Sequence, residues 1–253
     1  MPIRAISFDL FDTLVDLLTE TLPREEYRGR RLPRMLIQLH ALVAEKTAVG
    51  FDEYWVAMQE IDAEFRESHY ARDRELPTLD RFNALLTRLG IDDANLAHSM
   101  VTAHMDGLYA QVEFLDHHRT VLAGLKETYR LGVCSNFSHS ETAHRVLRVA
   151  GLDDLMDAVL ISDAVGFRKP GPKIFEETLK ALNVEPDELL HVGDRLGADV
   201  AGPAALGIRT AWIVRRVRDP ESARSEHSAP APDCQISDLA ELPARISKAG
   251  LLL

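Results

Sequence analysis

No stretch of this 253-residue chain is both apolar and long enough to span a membrane, which takes about 20 residues. No charged-then-apolar leader opens it either. Basic residues form no long block, and the formal net charge is −11, which argues against nucleic acid and anionic membrane as partners. Cysteine is scarce, with only Cys134 and Cys234. Cys134 lies in an apolar, strand-like run and reads as a reduced buried thiol. No internal repeat is visible. What remains is ordinary globular composition, 46% hydrophobic and 27% charged. The expectation is a soluble, cytoplasmic protein of one large domain or one domain plus a smaller one, monomeric or homodimeric.

The most informative stretch is Ile3 to Leu14. Ile3, Ala5, Ile6 and Phe8 read as a buried strand, and Asp9 stands at its end. A carboxylate there needs a reason, because charge is costly to bury without a partner. At the carboxyl end of a parallel strand the usual reason is a ligand site. Asp9 opens the run Asp-Leu-Phe-Asp-Thr-Leu, which ends at Leu14.

From about Asp16 to Asp116 no convincing strand is seen. Helical spacing runs from Pro33 to about Thr47, Phe51 to His69, Leu79 to Leu89 and Ile91 to Leu108. From His117 the pattern alternates. Strands are expected at Leu131–Cys134, Ala158–Ile161, Leu189–Val192, Thr210–Val214 and Cys234–Ile236. Helices are expected at Thr120–Tyr129, Ser138–Ala150, Pro172–Leu182, Ala198–Leu206 and Leu239–Lys248, with a loop over Asp219–Pro232. Alternation of this kind gives an α/β fold, a Rossmann-like parallel sheet flanked by helices. The expected core is residues 1–15 with 117–253, interrupted by a helical cap over 16–116.

Three later strand ends carry polar chemistry. Ser135-Asn136 offers a hydroxyl and backbone N–H groups to an anionic oxygen, or forms a turn. Ser138 is the expected helix cap, with Glu141 completing a capping box. Lys169 sits between Gly166 and Phe175 in a turn stiffened by Pro170 and Pro172, which places one positive charge or leaves a solvated lysine. Asp194 follows the run His191-Val-Gly, and Asp199 lies five residues on. Both are metal-ligand candidates, or else a helix cap and a first-turn acid.

Taken together, Asp9 with Thr13, then Ser135, Lys169 and Asp194 with Asp199 resemble the complete motif set of the haloacid dehalogenase (HAD) superfamily, subfamily I, whose helical cap follows the first motif. The resemblance covers essentially the whole chain. It implies that Asp9 is a nucleophile forming an aspartyl ester. Thr13, Ser135 and Asn136 would hold the transferring group, with Lys169 adding positive charge. Mg²⁺ would be held by Asp9, the Phe11 carbonyl, Asp194 and Asp199. The implied enzyme is a hydrolase acting on a small anionic substrate, first of all a phosphatase for a small phosphorylated metabolite.

Phe11 departs from that pattern. Phosphatases of the superfamily carry a second Asp there, which protonates the leaving alcohol and then activates water. Phe cannot do this. Asp12, one residue on, is expected to brace the loop. Haloacid dehalogenases have an aromatic residue at this position, because halide leaves unprotonated. They use no metal, however, and the acidic pair Asp194 and Asp199 stands against that alternative, as does Phe175 where they carry Tyr. A weak phosphatase serving as a binding protein is a further alternative. A phosphonate hydrolase would need a cap lysine, and Lys46 is the only one available. Arg24, Arg28, Arg30, Arg31 and Arg34 cluster early in the expected cap. Arg28 and Arg31 are taken as substrate-binding, against a reading as a solvated face paired with Glu25 and Glu26. His117 and His118 show no ligand pattern.

Overall fold

Short runs of apolar and β-branched residues separated by amphipathic helices fold as such runs do, into a parallel sheet with helical crossovers. The computed structural model describes residues 2–228 and 230–248. The chain divides into two compact units, residues 1–16 with 113–253, and residues 17–112.

The first unit holds a six-stranded sheet. From one edge its order is Cys234–Ile236, Arg209–Ile213, Leu189–Gly193, Ala5–Phe8, Arg130–Ser135 and Ala158–Ile161. All neighbours are parallel. The chain winds outward from Ala5–Phe8 on one side, returns to its other flank at Leu189–Gly193, and winds outward again. That reversal is a topological switch point, and crevices at the strand carboxyl ends of such points are where α/β sheets take ligands. Phe8 sits opposite both Val133 and Val192, so Asp9 begins just beyond the paired residues. Every residue of Ala5–Phe8 is buried, as a central parallel strand covered on both faces requires. Leu10, Leu14, Phe175 and Trp212 are buried around the strand ends, each apolar side chain worth about 1.5–3 kcal/mol when fully removed from water. Cys134 is a free thiol in this core, its pKa pushed up to about 11 by burial.

In the second unit, helices Arg34–Ala44, Phe51–Ser68, Thr78–Arg88 and Ala94–Tyr109 pack in a bundle around Leu39, Tyr54, Phe82, Leu85 and Met100. The expectation of no strand here is corrected. Arg24–Tyr27 and Arg30–Pro33 form an antiparallel hairpin whose two turn residues, Arg28 and Gly29, both have positive φ, +49° and +74°. That is the turn geometry matched to strand twist. Its strands are mostly charged, so hydrophobic alternation gave no signal. Tyr27 anchors the hairpin on Phe51, ring centroids 4.7 Å apart.

Three other expectations are corrected. Pro220–Glu226 is a helix, not loop, started by Asp219 accepting from Ser222 N at 3.0 Å, with Pro at the first turn. The cap of Ser140–Val149 is His139, whose Nδ1 accepts from Thr142 N at 3.3 Å, while Asp163 takes the N–H of Ser140 at 2.7 Å. The expected helix after Asp194 begins as a π-turn, Leu196–Ala201, followed by Gly202–Ala204. Such wide turns are rare and often sit at functional sites. Among the described residues no helix is long and apolar enough to cross a membrane.

Candidate functional site

Asp9 leaves the central strand with its N–H on the Val192 carbonyl at 2.8 Å, which holds the residue at the sheet's carboxyl edge. Its Oδ1 lies 3.0 Å from Lys169 Nζ. The same ammonium lies 2.6 Å from Asp199 Oδ1. Lys169 is buried, its side chain only 1% exposed. Burial opposes its charge, but Asp199 and Asp9 hold its pKa above the ordinary lysine value. The solvated-loop reading of Lys169 is therefore excluded.

Asn136 fixes where that lysine starts. Its Nδ2 donates to the Lys169 carbonyl at 2.8 Å, and its Oδ1 accepts the Lys169 N–H at 2.7 Å. Asn136 was expected to bind substrate; both ends of its amide are instead spent bracing the lysine backbone. Asp199 is tied as firmly. Its Oδ1 lies 3.2 Å from His191 Nε2, and its Oδ2 accepts the Arg195 N–H at 2.9 Å. Burial alone would raise this carboxyl, yet the Lys169 charge and the hydrogen bonds from His191 and Lys169 hold it well below the usual range. His191 Nδ1 in turn meets Ser7 Oγ at 2.9 Å, and burial lowers the imidazole's pKa. A continuous buried line runs from Ser7 through His191, Asp199 and Lys169 to Asp9.

Gly193 makes room for this line. A Cβ there would lie 2.4 Å from the Asp199 carboxyl carbon. Asp199 has no slack, so Gly193→Ala is expected to displace it and cost about 1–3 kcal/mol of stability, read as a lower midpoint in urea. An unchanged midpoint would show that the carboxylate can yield.

Asp194 behaves differently from Asp199. It does not cap the following helix. Its backbone carbonyl accepts from Trp212 Nε1 at 2.7 Å, which fixes the residue. Its Oδ1 is buried with no hydrogen-bond partner. Burial, then the charges of Asp9, Asp199 and Asp12, push its pKa up to about 8. One oxygen from each of Asp9, Asp194 and Asp199 lies within 4.8 Å of the others. Three crowded carboxylates, one with an unspent buried oxygen, suit a hard divalent cation with oxygen ligands. Thr13 Oγ1 and Ser135 Oγ are likewise buried without partners, two hydroxyls at the same sheet edge available to anionic oxygens.

Phe11 packs its ring on Phe137, centroids 4.7 Å apart. No carboxylate is present at that position. Asp12 has φ +60° and its Oδ1 lies 3.1 Å from Arg216 Nε, so it is held by the strand-end arginine. Arg28 and Arg31 lie in the other unit, on the hairpin. Arg28 contacts Asp52 at 3.4 Å, Arg31 is exposed, and neighbouring Arg34 pairs with Glu25. Sequence reasoning missed His191, Ser7, Trp212 and Arg216. The one signal was His191 itself, a polar residue inside the apolar run Leu189–Val192.

A family model described as haloacid dehalogenase-like hydrolase matches residues 3–207. Glyceraldehyde 3-phosphate phosphatase of Pyrococcus abyssi is 33% identical over 215 residues, covering 83% of this chain and 81% of that protein. Haloacid dehalogenase-like hydrolase domain-containing protein 3 of Homo sapiens is 30% identical over 247 residues, 91% of each. Among solved structures, a 2-haloacid dehalogenase from Pseudomonas syringae pv. Tomato superposes with TM-score 0.69 at 23% identity, over 97% of this chain and 99% of that one. A HAD phosphatase from Thermococcus onnurineus gives 0.61 at 24%, over 96% and 97%. At these identities the structural likeness is one of fold. Sequence motifs, sheet order and family model agree: the chain belongs to the haloacid dehalogenase-like hydrolases.

Proposed function

We propose that this protein is a phosphatase of small phosphorylated metabolites, using Asp9 as nucleophile and Mg²⁺ as cofactor. The observation that carries the reading is the unspent, buried Oδ1 of Asp194 beside Asp9 and Asp199. Burial and the neighbouring acids disfavour a charged carboxylate there, and a bound cation is what would favour it. Asp9, the Phe11 carbonyl and Asp194 would hold the ion, with Asp199 supporting it. When bound it offsets the repulsion between the Asp9 carboxylate and an anionic phosphate.

The chain's own residues supply the rest. Thr13 and Ser135 donate their free hydroxyls to phosphoryl oxygens. Lys169 adds positive charge and orients Asp9. Asn136 and Asp199 position Lys169, and His191 with Ser7 positions Asp199. Asp9 attacks phosphorus as the bond to the leaving oxygen breaks, that oxygen takes its proton from solvent, and water then hydrolyses the aspartyl phosphate, releasing phosphate and returning Asp9. In this reading residues 17–112 form a cap that selects the substrate, with Arg28 and Arg31 favouring anionic groups. Glyceraldehyde 3-phosphate, in the name of the archaeal relatives, is the first compound to assay.

Phe11 favours one competing reading, halide release from a 2-haloacid. The two separate in one experiment. Incubation with phosphate esters and with 2-haloacids, each with EDTA and with Mg²⁺ restored, should give phosphate release that EDTA removes and Mg²⁺ returns. Asp194→Ala should raise the Mg²⁺ concentration required. Halide release indifferent to EDTA would replace the phosphatase reading with the dehalogenase one.

A further inference from the structure

Away from the carboxylate cluster, the start of helix Asp116–Lys126 meets the start of the segment Leu239–Glu241. His117 Nε2 lies 3.0 and 3.1 Å from the two carboxylate oxygens of Asp238. The rings of His117 and His118 stand edge to face, centroids 4.5 Å apart. One ring nitrogen from each histidine and one oxygen of Asp238 lie within 4.8 Å of one another.

His118 makes this more than a surface ion pair. It is wholly buried, with Nδ1 bonded to the Leu14 carbonyl at 2.9 Å. A carbonyl accepts, so Nδ1 carries the proton and Nε2 carries the lone pair. That Nε2 is buried and has no partner. An imidazole whose N–H is anchored on a backbone carbonyl, with the other nitrogen bare, is in the tautomer that a metal ligand needs. A His117–Asp238 contact that merely tied two segments together would leave Nε2 unexplained.

We propose that His117, His118 and Asp238 form a second cation site, for a divalent transition metal of the zinc type. Two imidazoles and one carboxylate are a borderline-soft set that suits Zn²⁺ with a water in the fourth position, and suits Mg²⁺ poorly. Entry is open, because the His117 side chain is 50% exposed and that of Asp238 32%. Asp238 caps the Ala240 N–H with Oδ1 at 2.9 Å, leaving Oδ2 for the ion. On binding, His117 gives up its contact with Asp238, and an N–H directed there moves to Nδ1 or is lost to solvent. The Arg215 charge near His118 is offset by its two contacts with Asp16. Through the Leu14 carbonyl the ion would stiffen the base of the loop that carries Asp9.

Co²⁺ reports such a site by visible absorption, and Zn²⁺ should displace it. With excess Mg²⁺ occupying the carboxylate cluster, metal-stripped protein should bind one Co²⁺ per chain with intense visible bands, and Zn²⁺ should raise its melting temperature. His117→Ala and Asp238→Asn, both at partly exposed positions and checked for folding by circular dichroism, should each weaken binding about 100-fold or more, beyond the 10–100-fold typical even of outer-shell losses. Asp194→Asn should leave it unchanged. No Co²⁺ bands, bands retained in His117→Ala, or bands lost in Asp194→Asn would each overturn the proposal.

Discussion

Asp9→Asn is expected to abolish turnover, with a loss of at least about 10⁴-fold, because removing a nucleophile leaves only binding and preorganised charge to act on the substrate. The amide is nearly isosteric. The bond from Asp9 N–H to Val192 is a backbone bond and survives. Lys169 keeps Asp199 at 2.6 Å, so it is not left unpaired in the core. The variant should therefore fold, with a melting temperature close to that of the parent, which separates lost chemistry from lost structure. Acid quench during turnover should trap a phosphorylated peptide spanning Asp9 in the parent and none in the variant. Deamidation back to the carboxylate is excluded by mass spectrometry of the same peptide. Turnover within tenfold of the parent, with the introduced amide intact, would move the nucleophile elsewhere.

Much of this site was legible in the sequence because each element rests on a local rule. Asp9, Ser135 and Asp194 each terminate or directly follow an apolar run, and strand ends at a parallel sheet's carboxyl edge converge in space whatever the intervening sequence. Pro172–Leu182 was readable to the residue because Pro opens it and its apolar face repeats at helical spacing. The missed features depend on long-range partners. The hairpin Arg24–Pro33 is held by Tyr27 on Phe51 and by an Arg28-Gly29 turn, not by an apolar stripe. Asn136 looked open to substrate, and only the fold reveals Lys169 folded back onto its amide. His191 reads as one odd polar residue until Asp199 and Ser7 appear on its two nitrogens. His117 and His118 carried no pattern because Asp238 arrives from more than a hundred residues away.

Phe11 governs the second large effect. With its ring on Phe137, the position two past Asp9 supplies no proton. General acid–base help of this kind is worth about 10²–10⁴-fold. Substrates with acidic leaving groups, aryl or acyl phosphates, should therefore phosphorylate Asp9 faster than alkyl phosphates by a factor in that range, read in kcat/KM and in the rate of the first turnover. Water attack on the aspartyl phosphate has no base either, so that step should limit the rate and an initial burst of leaving group should appear. Phe11→Asp returns the carboxylate. It should remove the burst and accelerate steady-state turnover of alkyl phosphates. It also forfeits the ring contact with Phe137, about 0.5–1.5 kcal/mol beyond its buried area, so melting temperature is measured alongside the rates. A flat dependence on leaving group with no burst would mean that a proton donor is already in place. Asp12 would then be the first residue to test, since its charge already bears on Asp194. Its contact with Arg216 would have to open during turnover, and Arg216→Met should then change the rate, where little effect is otherwise expected.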